Sequence, residues 1–183
     1  MSELAAEIAE VRARAQCVYT RAQVDAAFDR LAAEIGATLS GSNPLLVAVL
    51  VGGMYPAVQL GMRFGFPYQL DYAHATRYRG QLSGGAVQWR SEPHLPLAGR
   101  VVLVVDDILD EGFTLAQVMQ ECARLGAAQV LSAVLVRKIH ARPTIGHADY
   151  YGLEVGDRYV FGCGMDYKEY FRGLPEIYAV APP

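Results

Sequence analysis

VVLVVDDILDEGFT, residues 101–114, carries more information than any other part of this chain. Val101–Val105 is an unbroken apolar run, the pattern of a strand buried on both faces of a parallel sheet. Two acids, Asp106 and Asp107, interrupt it, and the strand is expected to end there. Asp110 follows three residues later, Gly112 sits in the next turn, and a helix is expected over 114–125, closed by Gly126. In open parallel sheets, ligands bind beyond the carboxyl ends of the strands. A glycine-containing turn that opens into a helix presents backbone N–H groups suited to a phosphate. Two adjacent carboxylates at that mouth accept hydrogen bonds from sugar hydroxyls and ligate hard cations such as Mg²⁺. The bland alternative is a strand that ends in a polar turn, with Asp110 as a helix cap.

Outward from this stretch the chain alternates strand and helix. Residues 3–16 read as a helix. Thr20, with Gln23 three positions on, reads as the capping box of a second helix over 21–39. Leu45–Val51 is another continuous apolar run, broken by Gly52 and Gly53 and followed by a helix from Pro56 to Phe64. Tyr68–Ala73 reads as a strand. Residues 77–92, with Gly80, Gly84 and Gly85, read as a mobile excursion holding short strands around Val87–Trp89. Val130–Val136 is a further buried strand, and short β segments are expected at 149–152 and 159–162. The alternation implies an α/β fold, a mostly parallel twisted sheet with helices on both faces. The 183 residues suit one domain, 1–183.

Composition narrows the class. A hydrophobic fraction of 52% with 19% charged residues excludes a disordered chain, and a net charge of -3 argues against a nucleic-acid-binding surface. No apolar stretch reaches the ~20 residues needed to span a membrane. The N-terminus has no basic start followed by an apolar run. The three cysteines, Cys17, Cys122 and Cys163, have no metal-ligand spacing and favour a reducing compartment. The expectation is a cytoplasmic protein. His74, His94, His140 and His147 show no metal spacing either, and solvated or structural roles are expected of them.

The apolar strand followed by D-D-x-x-D-x-G-x-T and a helix closely resembles the phosphoribosyl-pyrophosphate motif of type I phosphoribosyltransferases. A second block, DYYGLEV at 149–155 and RYVFGCGMDYKEYFRGLP at 158–175, is similar to the C-terminal run of the hypoxanthine-guanine phosphoribosyltransferase family. The resemblance covers about residues 45–180. It implies that family's fold, with a small hood made from terminal segments. It also implies reversible transfer of 5-phosphoribose from phosphoribosyl pyrophosphate to hypoxanthine or guanine, giving IMP or GMP and pyrophosphate.

By this resemblance Asp106 and Asp107 hold the ribose hydroxyls and Asp110 lies near N7 of the purine, placed to exchange a proton there. Glu111, Gly112, Phe113 and Thr114 complete the 5′-phosphate loop. Glu111 and Phe113 depart from the family's small hydroxyl or basic residues, so the Glu111 side chain must point away from the phosphate or the pocket is altered. Lys138 donates to the purine O6, with Arg137 as the alternative if the register slips by one. Tyr159 stacks on the base and Val160 offers it main-chain contacts; core packing is the other reading of Tyr159. Asp166 binds a second Mg²⁺ through water, and Asp106 and Asp107 lie on the metal side of the sugar. Arg172 holds pyrophosphate through its guanidinium fork; Asp166 and Arg172 could otherwise be salt-bridge partners. Val51, Gly52 and Gly53 match the pyrophosphate loop, where Val51 brings no charge but the glycine N–H groups remain. Arg77 and Tyr78 stand where the family has a mobile Ser-Tyr lid. The family's habit implies a homodimer or homotetramer. Two rival readings are a regulatory module that binds phosphoribosyl pyrophosphate or nucleotide without turnover, and a transferase for another base such as xanthine.

Overall fold

The computed structural model describes residues 3–77 and 87–181. In chain order the elements are α1 (Glu3–Arg14), β1 (Gln16–Tyr19), α2 (Arg21–Leu39), β2 (Leu45–Val49), α3 (Met54–Gly61), β3 (Gln69–Arg77), β4 (Val87–Ser91), β5 (Val101–Leu109), α4 (Phe113–Arg124), β6 (Gln129–Lys138), β7 (Tyr150–Val155), β8 (Val160–Phe161) and β9 (Ile177–Ala179).

The two apolar runs pair in parallel at the centre of a six-stranded sheet of order β4-β3-β2-β5-β6-β7. All neighbouring pairs are parallel except β3 with the edge strand β4. Successive side chains of a strand point to opposite faces, and both faces of the central strands are covered. Leu46 and Ala48 of β2 and Leu103 and Val105 of β5 pack with Phe28, Leu31 and Ile35 of α2 and Leu60 of α3. Leu45, Val47 and Val49 of β2 and Val102 and Val104 of β5 pack with Leu115, Val118 and Cys122 of α4. This explains why neither strand shows polar alternation. The Thr20 cap forms as expected: its hydroxyl accepts from the Gln23 N–H, and the Gln23 side chain accepts from the Thr20 N–H.

Several boundaries differ from the expectation. β5 does not end at the acids but runs on to Leu109. On its β2 side the last pair is Ala48↔Val105, whereas on its β6 side pairing continues through Asp106↔Val134, Ile108↔Val136 and Leu109↔Arg137. The acids therefore sit on a strand that has lost one neighbour and kept the other. β6 likewise reaches Lys138, β2 stops at Val49, and α3 spans 54–61 rather than 56–64. The first helix ends at Arg14, because Gln16–Tyr19 form a strand that no local pattern announced. β1 pairs antiparallel with β9, and β9 with β8, giving a separate three-stranded sheet of order β1-β9-β8. This is the expected hood of terminal segments. Among the described residues no helix is long and apolar enough to cross a membrane.

Candidate active site

Chain order makes the crevice. From β2 the chain moves to β3 on one side, then returns to β5 on the other, so the strand order reverses between β2 and β5. At such a switch point the loops after the two strands part and leave room for a ligand. Here those loops are the Leu50–Gly53 turn and the Asp106–Thr114 stretch. Together with the C-terminal segment they line a cleft of about 420 Å³. The residues expected at the site meet there: Val51, Gly52, Asp106, Asp107, Asp110, Glu111, Gly112, Phe113, Thr114, Lys138, Tyr159, Val160, Asp166 and Arg172.

Gly53 is the exception. Its N–H donates to the Val49 carbonyl at 2.8 Å, so it closes the turn into α3 and is not available to a phosphate. The peptide between Leu50 and Val51 is cis. Gly52 has a steric reason to be glycine: a Cβ there would run into the Asp107 carboxylate, and one at Gly164 would run into the Gly52 carbonyl. The backbone of 52 thus comes close to both the acid pair and the C-terminal segment. Arg77 is described through its backbone alone, as the last residue of β3, and Tyr78, with the lid expected around it, lies outside the described residues.

Asp106 and Asp107 are the electrostatic centre of the cleft. Burial raises the carboxyl of Asp106 well above its ordinary range, and the negative charge of Asp107 adds to this. Burial raises Asp107 too, while hydrogen bonding from Asp106 and the charge of Arg172 work against it. Adjacent carboxylates with raised proton affinity, Asp107 buried and Asp106 half-buried, call for hydroxyl donors or a cation. Arg172 lies alongside, with Nη2 2.7 Å from Asp166 and 2.8 Å from Glu169, Nη1 2.8 Å from the Gly164 carbonyl and 4.0 Å from Asp107. Asp166 also accepts from the Glu169 N–H at 2.8 Å. Both of these C-terminal residues therefore face the acid pair across the cleft, and they do form a salt bridge with each other.

At the helix end, Gly112 is in the left-handed region at φ 80°, where glycine is favoured, and no side chain caps α4. A Cβ on it would meet the Ile145 carbonyl, and the Ile145 N–H donates to Glu111 at 2.7 Å, so the loop after β6 is tied to this turn. The Glu111 carboxylate lies 3.8 Å from Arg142, which draws that acid toward a cation.

At the opposite end, Lys138 Nζ donates to Asp110 Oδ2 at 2.7 Å, and Arg142 Nη2 donates to Oδ1 at 2.9 Å. Burial pushes the Asp110 carboxyl up, but Lys138 and then Arg142 more than offset it and hold it below its ordinary value. Tyr159 is 54% exposed at the cleft mouth, so it is not core packing; its ring meets Tyr167 edge-on at 5.6 Å. Arg137 does not take the lysine's place, because it pairs with Glu154 and lies over Tyr151 on the outer strand β7. Sequence reasoning missed Gly164 and Arg142, and read His140 as solvated or structural; its side chain is 1% exposed. Arg142 and His140 lie in the irregular segment after β6, where no spacing links them to Asp110.

The phosphoribosyl transferase domain family matches residues 18–169. A hypoxanthine-guanine phosphoribosyltransferase of Streptococcus pneumoniae is 31% identical over 156 residues, 85% of this chain and 87% of that protein. The chain belongs to the hypoxanthine-guanine phosphoribosyltransferase family. The enzyme of that name from Aquifex aeolicus is similar at 31% identity, covering 82% of this chain and 85% of its own. Among solved structures, a hypoxanthine-guanine phosphoribosyltransferase of Bacillus anthracis superposes with a TM-score of 0.82 at 25% identity, covering 90% of this chain and 96% of that one. The chain is thus a phosphoribosyltransferase of the type I fold, and a regulatory module without turnover is not favoured.

Proposed function

We propose that this phosphoribosyltransferase moves 5-phosphoribose from phosphoribosyl pyrophosphate to N9 of hypoxanthine or guanine, yielding IMP or GMP and pyrophosphate. The observation that supports this base class is the Lys138–Asp110 pair beside the exposed ring of Tyr159. An ammonium is a donor only and complements a 6-oxo group, the neighbouring carboxylate complements N7–H, and an aromatic face stacks on a purine.

Asp106 and Asp107 accept from the ribose hydroxyls, and the uncapped first turn of α4 receives the 5′-phosphate. The transition state is oxocarbenium-like, with negative charge growing on the leaving pyrophosphate, where Arg172 acts electrostatically. Asp110 takes the N7 proton. The donor chemistry fits Mg²⁺, because carboxylate oxygens of Asp106, Asp107 and Asp166 line one cleft. A hard cation shared between one or two carboxylates and substrate oxygens suits that arrangement. When bound, Mg²⁺ neutralises charge on the diphosphate.

The protein would act in the cytoplasm as a homo-oligomer. An apolar stripe of Met54, Val58 and Met62 along α3, exposed in the single chain, supports the assembly. Mixing the protein with phosphoribosyl pyrophosphate, Mg²⁺ and each of hypoxanthine, guanine, xanthine and adenine tests the reading. Nucleotide formation from hypoxanthine or guanine is expected. No turnover with any base, in a protein that binds the sugar diphosphate, would overturn it.

A further inference from the structure

Asp110 and Tyr159 line the active-site cleft, and both also line a neighbouring cleft of about 380 Å³ together with Arg142 and Asp157. Arg142 and Asp157 line the neighbouring cleft and not the active-site one. Arg142 Nη1 donates to Asp157 Oδ2 at 3.1 Å and Nη2 to Asp157 Oδ1 at 3.0 Å. The same Nη2 donates to Asp110 Oδ1 at 2.9 Å. Nη2 carries two hydrogens, one for each acid. Asp157 stands two residues before Tyr159, so one guanidinium ties the carboxylate expected at N7 to the turn that presents the stacking ring. The loop that carries Arg142 is itself pinned on both sides. Ile139 N–H donates to the Val155 carbonyl and Ile145 N–H to the Glu111 carbonyl, each at 2.7 Å. Lys138 Nζ holds the other Asp110 oxygen, Oδ2, at 2.7 Å. His140 Nε2 lies 3.0 Å from Oδ1 but makes no hydrogen bond to it. A carboxylate turns easily about its terminal bond. One donor leaves its plane free, and two donors on different oxygens fix it.

We propose that Arg142 is a positioning residue for the base: braced by Asp157, it fixes the plane of the Asp110 carboxylate so that a lone pair faces the N7–H of the incoming purine. This rests on the base-binding reading given above. Arg142 acts through Asp110 and not on the substrate. Each carboxylate oxygen has two lone pairs, so Asp110 can hold a cation at either oxygen and still accept from N7–H. Arg142 and Asp157 are 45% and 50% exposed, and exposed ion pairs add little to stability. What the fork supplies is direction, because a bidentate guanidinium–carboxylate pair has one geometry. Without Arg142 the carboxylate follows Lys138 alone. N7 then loses its aligned acceptor, while O6 keeps its donor and the ring keeps its stacking partner.

Two purine analogues separate these contacts. 9-Deazahypoxanthine carries N7–H and has carbon at position 9, so it inhibits without turning over. 7-Deazahypoxanthine has carbon at position 7 and offers Asp110 no N–H there. Both keep the 6-oxo group and the ring face. The measurement is inhibition of nucleotide formation from hypoxanthine by each analogue, at saturating phosphoribosyl pyrophosphate and Mg²⁺. Wild type is expected to bind 9-deazahypoxanthine about tenfold or more tighter than 7-deazahypoxanthine, as a hydrogen bond to a charged group implies. R142Q is expected to bring that ratio down to about threefold, the scale of one weak contact, with KM for phosphoribosyl pyrophosphate unchanged. D157N removes the brace and should lower the ratio part of the way. Added to R142Q it should change nothing further, since the two act as one unit. A wild-type ratio in R142Q, with both analogues weakened alike, shows that Arg142 only supports its loop; it overturns the proposal and leaves the base-binding reading intact. A wild type that binds both analogues equally, or turns over no 6-oxopurine, overturns that reading itself and the proposal with it. Should R142Q fail to fold, D157N decides, and a wild-type ratio there overturns the brace.

Discussion

Lys138 is 12% exposed and spends its charge on Asp110 at 2.7 Å. An adenine in this site would present a donor to an ammonium that has no acceptor to offer, and sites built around one buried hydrogen bond discriminate by about 10⁴. Wild type is therefore expected to use hypoxanthine or guanine and scarcely adenine. Lys138→Gln should lose most 6-oxopurine activity and narrow the gap, since an amide both donates and accepts; kcat/KM for the three bases in both proteins checks this. Asp106 and Asp107 call for a different experiment. Both carboxyls are raised above their ordinary values, chiefly by burial. A raised folded-state value for an acid means that stability falls as pH climbs from the ordinary value of 3.8 through the folded one. The double Asp106→Asn, Asp107→Asn variant should thus melt higher than wild type at neutral pH and bind IMP far more weakly. A calorimetric scan and a titration read the two effects, and unchanged IMP affinity would remove the pair from ribose binding.

At the scale of elements, the split pairing of β5 explains how acids occupy a strand. Beyond Val105 its β2 side is open and becomes the cleft wall, while β6 still holds the backbone straight. A second strand acid does structural work. Asp71 on β3 is buried; it accepts from the N–H groups of His94 and Leu95 at 2.7 Å each and of Tyr72 at 2.8 Å. Burial raises its carboxyl, but these donors more than offset that and hold it below 3.8. A depressed folded value means that this stability is present above the ordinary value and is lost as pH falls through it toward the folded one. Asp71→Ala removes the acceptor of three part-buried N–H donors and should lower stability near neutral pH by about 1–3 kcal/mol. It should also flatten the acid limb below about pH 4. Chemical denaturation at pH 7 and pH 3 reads both, and an equal loss at the two pH values would contradict the assignment.

For the molecule as a whole, the hood depends on contacts across the full chain. β1 pairs with β9, the Arg12 guanidinium donates to the Tyr178 hydroxyl at 3.0 Å, and Glu7 of α1 accepts from Tyr167 at 2.8 Å and Lys168 at 2.6 Å. The N-terminus thereby steadies the segment that carries Asp166 and Arg172, and Tyr167 in turn flanks Tyr159. The apolar stripe on α3 is the other large-scale feature. Val58→Glu with Met62→Glu should convert the expected homo-oligomer to a monomer without unfolding it, because both positions are exposed in the single chain. Sedimentation equilibrium checks this, and an unchanged mass would place the interface elsewhere.

Local patterns were enough for much of this protein. The apolar runs at 45–49 and 101–105 announced a parallel sheet because strands buried on both faces have no polar side. Thr20 and Gln23 announced a helix start because a capping box is closed within four residues. The acids and the turn glycine Gly112 were legible because one strand–turn–helix unit carries them, whereas Lys138 was placed by the family resemblance alone. Tertiary structure decided what depends on distant partners. β1 and β9 are short and unpatterned alone, and exist by pairing 16–19 with 177–179. Gly53 was expected to offer its N–H to phosphate, but only the fold shows that N–H committed to Val49. Glu111 turns to Arg142, and His140 reaches Asp110, because the loop after β6 is tied back at Ile145. Backbone preference and hydrophobic period act over a few residues and can be read from the chain. A carboxylate's neighbours are set by how strands cross over, which no local spacing encodes.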